Sequence, residues 1–100
     1  MPPQRELVPY EVDILATIVA RSIKSISYYH PKKQLGAIVK GKRPEETSKV
    51  LRVLAEEFGV LTLGAKPGFR LSNKMDWYEV NPEKARELFD AHVRGGYKNL

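Results

Sequence analysis

Residues 44–61 carry the helix signal that most restricts the fold, because both ends of the helix are marked. Pro44 fits the first helical turn, where its missing N–H leaves no bond unmade, and Glu45 and Glu46 sit at the positive end of the helix dipole. Thr47, Leu51, Leu54 and Phe58 recur at spacings of four, three and four, so they share a face that can be buried, widened by Val50 and Ala55. Ser48, Lys49, Arg52 and Glu56 are left for the opposite face. Gly59 supplies a left-handed stop, and Val60-Leu61-Thr62-Leu63 follows with strand composition. A helix therefore feeds directly into a hairpin.

The length of 100 residues suits one domain with its own core, so the expected unit spans residues 1–100 with 1–8 and 95–100 as loose ends. Without cysteine there can be no disulfide, thiolate metal site or cysteine nucleophile. The first residues lack an apolar signal core and no apolar run approaches bilayer length, which gives the expectation of a cytoplasmic protein. Few amide side chains and no cysteine lean toward a thermophilic source. Net charge is +5 and unevenly spread. Between Lys32 and Lys74 ten basic residues face four acidic ones, an excess of +6 that leaves −1 for the rest. An anionic partner is implied there.

Along the chain, Val12, Leu15, Ile18, Val19 and Ile26 follow helical spacing from Pro9, which predicts a first helix over residues 9–24. Its apolar arc is wide enough for a second contact, either the C-terminal helix or another subunit. Residues 25–29 alternate as a short edge strand, and Pro31 disfavours helix at His30. A short second helix is expected over residues 32–40, with Leu35, Ile38 and Val39 inward; Gly36 weakens it, although a glycine can permit close helix packing here. Gly41-Lys42-Arg43-Pro44 is the turn before the central helix. After the strand at residues 60–64 two hairpin registers are possible. The tip is either Lys66-Pro67-Gly68 or a longer loop through Asn73-Lys74, and the second, with residues 77–80 as the returning strand, is preferred. Trp77 and Phe69 read as anchors of the sheet against the helices. Asn81-Pro82-Glu83 opens a last helix that runs to Arg94 and stops at Gly95-Gly96.

A helix with a small polar residue and two cations on its outer face, a glycine stop, an apolar strand and a basic turn resembles the recognition helix and wing of the winged helix-turn-helix superfamily. Residues 47–61 carry the resemblance. It implies an α+β fold with a three-helix core, a β-hairpin wing and an additional C-terminal helix, and it implies double-stranded DNA binding by a small transcription regulator. Short polar and cationic side chains on such a helix reach base edges in a major groove about 12 Å wide. Here those are Thr47, Ser48, Lys49 and Arg52, with Arg52 suited to the paired acceptors of guanine. Lys32, Lys33, Lys40, Lys42 and Arg43 suit phosphates, and Lys66, Arg70 and Lys74 suit the wing's reach to the backbone or minor groove. A homodimer through the first and C-terminal helices would read two half-sites about 34 Å apart. No cofactor and no catalysis are expected.

Glu45 and Glu46 point the other way, since they repel phosphates unless turned off the duplex. They keep open a protein-interaction module in a replication, transcription or repair complex; a non-specific nucleic-acid-binding protein is the other alternative. Tyr28 and Tyr29 are suited to stacking or phosphate contact, with core packing favoured for at least one of them. His30 and His92 do not form a metal pair by spacing and read as structural or surface residues. No phosphate loop, nucleophile motif or metal set supports an enzyme.

Overall fold

The computed structural model describes residues 7–64 and 76–95. Among them, helix α1 (Pro9–Ala20) is followed by strand β1 (Ser25–Ser27), helices α2 (Lys32–Leu35) and α3 (Pro44–Glu56), strands β2 (Leu61–Gly64) and β3 (Trp77–Val80), and helix α4 (Pro82–Phe89). The three strands form one antiparallel sheet in the order β1-β3-β2, and the helices cover one face of it, an α+β arrangement.

Helix α1 starts at Pro9, and the Glu11 carboxylate accepts the Val8 N–H at 2.9 Å. Ile14, Leu15 and Ile18 form its buried stripe. The apolar spacing predicts a helix to residue 24, but the chain turns off at Ser22, which takes the left-handed conformation with φ +50°. The Ile23 N–H then reaches back to the Ile18 carbonyl at 3.0 Å and closes the end. The surplus apolar side of α1 packs on α4 within the same chain, the first of the two destinations open to it.

The expected second helix is shorter than its sequence pattern. It ends at Leu35 and continues as a 3₁₀ turn over Gly36–Val39. Gly36 has φ +72° and ψ −143°, a conformation essentially reserved for glycine. Gly36 therefore breaks the helix and does not serve a helix–helix contact; a Cβ here would stand 3.0 Å from the Arg21 guanidinium. That guanidinium donates to the freed Leu35 carbonyl at 3.4 Å.

Helix α3 follows its pattern closely. Thr47, Val50, Leu51 and Leu54 are buried, and Glu46 accepts the Arg43 N–H at 3.2 Å, satisfying a donor at the helix start. Gly59 (φ +67°) ends it, with the Val60 N–H on the Leu54 carbonyl at 2.9 Å. Burying a leucine as fully as Leu51 or Leu54 contributes roughly 1.5–3 kcal/mol.

In the hairpin, Leu61 pairs with Val80 and Gly64 with Trp77, which establishes residues 77–80 as the returning strand. Strand alternation puts Tyr78 and Val80 on the core face, with Ile26 opposite Tyr78. Trp77 falls on the other face beside Glu79 and is half-buried, so Tyr78 takes the anchoring place expected of Trp77. Phe69 lies outside the described residues. Strand β1 is three residues long; beyond it the Tyr28 N–H still donates to the Asp76 carbonyl, while the Ser27 N–H turns outward and donates to Gln34 Oε1 at 2.9 Å. Helix α4 is capped by Asn81, whose Oδ1 accepts the Lys84 N–H, and beyond Phe89 it widens into a π-helical segment over Asp90–Gly95. His92 in that segment meets the Phe58 ring edge-on at 6.2 Å.

Candidate nucleic-acid interface

Two segments separated in sequence, residues 28–33 and 42–48, meet at the start of α3. The stretch joining β1 to α2 is held by Ser27: its Oγ accepts the His30 N–H at 3.2 Å, and its own N–H is taken by Gln34. This fixes Tyr28 half-buried and Tyr29 outward, with Lys32 and Lys33 exposed just beyond. Facing them are Lys42 on the turn into α3 and Pro44 and Ser48 at the start of α3 itself. Between the two lies a groove of about 580 Å³.

Ser48, Lys32, Lys33 and Lys42 therefore line one site although sequence assigns them to three different elements. Thr47 also borders the groove but is buried, and its Oγ1 shares a 2.7 Å hydrogen bond with the Tyr10 hydroxyl, so it ties α3 to α1 and has little surface for a partner. Lys42 stands on a ridge: its Nζ is 4.8 Å from the centre of the Tyr10 ring, and it borders a second cleft on the far side. Lys49 opens onto that second cleft, with Glu46 and Glu57 nearby, and not onto the first. Arg52 is exposed on α3, close enough to the Tyr78 phenol to act on it electrostatically. Lys40 and Arg43 are exposed on the turn outside the groove lining. Lys66, Arg70 and Lys74 lie outside the described residues.

The charge on this face is divided by element. Between Asp13 and Glu45 the sequence contains seven cations and no acid, whereas residues 44–57 hold four acids against two cations. The positive potential thus centres on the β1–α2 stretch and the turn, and α3 by itself is acidic. Counting from Lys32 to Lys74 hides this division; counting acid-free runs would have found it. Glu46 is engaged with the backbone of Arg43, which gives this acid a structural task at the helix start.

Tyr29 is the other feature that strand alternation could not assign. Its residue surface is 70% exposed, its ring meets Tyr28 edge-on at 5.0 Å, and Tyr28 in turn lies 5.8 Å from Tyr78. Three aromatic rings thus run from the groove to the core face of the sheet. Burial raises the pKa of Tyr78 above its ordinary 10.0, helped by Tyr28 and Glu56 and opposed by Arg52.

Among the described residues, no group of three or more His, Cys, Asp or Glu side chains is placed to hold a metal ion. No described helix is long and apolar enough to cross a membrane. No protein-family model, curated protein or solved structure matches the chain.

Proposed function

We propose that the chain is a winged-helix protein that binds double-stranded DNA as a small transcription regulator, with α3 as the recognition helix and the β2–β3 hairpin as the wing. The observation that carries this reading is the groove at the start of α3, where Lys32, Lys33, Lys42 and Ser48 converge with no acid among the described lining residues. The element order supports it too, because β1 joins the β2–β3 hairpin as a third strand between the first two helices. In this reading Lys32, Lys33, Lys42 and Arg43 hold phosphates, and Ser48 and Arg52 approach base edges. Lys49, on the far flank of α3, holds the opposite phosphate wall of the major groove. Occupancy of a site, with no catalysis, is the mode of action. A homodimer spanning two half-sites belongs to the same proposal.

The acidic balance of α3 favours one second reading, a winged helix that docks on a protein partner through α3. A fluorescence anisotropy titration of a random duplex pool at two salt concentrations separates the two. DNA binding is expected to weaken steeply with salt, by a slope of about 0.9 per phosphate contact, and Lys33→Ala should lower that slope by roughly one. Arg52→Ala is expected to cost about 1–3 kcal/mol on a selected sequence. A folded protein that binds no duplex at low salt would sink the DNA reading.

A further inference from the structure

The groove has one property that a surface for an intact duplex does not need. Its cations suit backbone phosphates, and base-edge contacts fall to the outer face of α3. Neither contact uses the exposed aromatic ring that lies in the concavity. Tyr29 is one of only three large apolar side chains exposed among the described residues, the others being Val8 and Leu63. It alone of the three borders this groove.

We propose that the groove receives a single unpaired nucleotide of a DNA strand, its base stacked on Tyr29 and its phosphate held by Lys32, Lys33 and Lys42. This rests on the nucleic-acid reading above and extends it to the strand end or unpaired base beside a duplex. Three observations favour that occupant. The volume of about 580 Å³ lies in the range of sites that enclose a compact ligand of this size. The lining pairs apolar walls, Tyr28, Tyr29, Pro31, Val39 and Pro44, with cations on the rim and no acid among the described residues, which is the combination that holds bases by stacking and the backbone by charge. Finally, the ring is in place before a ligand arrives. Ser27 and Gln34 fix the backbone beneath it, and the Tyr28–Tyr78 pair supports it from behind. A preset ring loses little freedom on binding.

The test compares three fluorescein-labelled DNA probes at one salt concentration: a blunt duplex, the same duplex with a three-nucleotide single-stranded overhang, and the overhang strand alone. The full chain, Tyr29→Ala and Tyr29→Phe are titrated on each. The overhang duplex is expected to bind roughly five- to hundredfold tighter than the blunt one. Tyr29→Ala is expected to erase that preference and leave the blunt duplex affinity where it was, while Tyr29→Phe, which keeps the stacking face, retains it. Binding of the overhang probes alone supports this inference and overturns the duplex reading. Equal affinity for blunt and overhang duplexes overturns this inference and leaves the duplex reading standing. So does a Tyr29→Ala variant that weakens both duplexes alike, or a polyglutamate peptide that displaces the overhang probe as well as unlabelled strand does. Binding to none of the three probes overturns both.

Discussion

Tyr78 shows how a single side chain joins the core to the outer face of α3. Its ring is buried on the sheet, so the phenolate is disfavoured, and the Tyr28 phenol and the Glu56 carboxylate add to that cost while Arg52 reduces it. Because the folded pKa is raised, the unfolded chain loses this proton first as the pH climbs. The group therefore contributes stability that is intact below about pH 10 and lost as pH rises through the folded value. Urea midpoints measured from pH 8 to 11 are expected to fall in the upper part of that range, and Tyr78→Phe should fall less steeply. Equal slopes for parent and variant would show that the phenol takes no part. Ser22 and Tyr29 mark the limit of reading single residues from sequence. Ser22 carries no local sign of a left-handed conformation; it adopts one because Ile23 must reach back to Ile18. Tyr29 continues the alternation of the strand before it, yet the strand ends at Ser27, where the Ser27 Oγ turns the chain by accepting the His30 N–H.

At the level of elements, what could be read was what the chain determines locally. Pro44 and Gly59 bracket α3, and Asn81 with Pro82 opens α4, because caps and stops act within a few residues of themselves. The hairpin register was legible in part, since residues 77–80 have strand composition, but the pairing itself is a long-range fact. The pattern of residues 32–40 predicts a longer helix than α2, because the spacing is helical and Gly36 alone opposes it. Here the tertiary structure enforces what propensity only weakly suggests: Gly36 turns the chain, and Arg21 satisfies the carbonyl left behind. Gly36→Ala is expected to destabilise by about 1–3 kcal/mol, because alanine is strained in this conformation and its Cβ crowds the guanidinium. Urea denaturation measures the change; a loss below about 0.5 kcal/mol, within the ordinary scatter of surface substitutions, would remove the strain argument. The groove was the least legible part. Its members belong to the β1–α2 stretch and to the start of α3, and only packing brings them together.

For the molecule as a whole, the apolar sides of α1 and α4 are turned on each other, so the wide arc of α1 finds much of its cover inside one chain. A homodimer through these helices must then use what they leave outward, which on α4 includes exposed Glu83, Lys84, Arg86 and Glu87. Charged surfaces of this kind associate weakly without help. Sedimentation equilibrium is expected to give the 11.4 kDa monomer for free protein at micromolar concentration and two chains per duplex on a site with two half-sites. One chain per such duplex at saturation would remove the dimer from the proposal. Among the described residues, the order β1-β3-β2 also leaves this sheet with two open margins. On the β1 margin the Ser27 N–H points away from β3, where it would invite a strand from another molecule. Gln34 holds that donor with its own side-chain oxygen, so the protein closes the margin against aggregation with one amide from a four-residue helix.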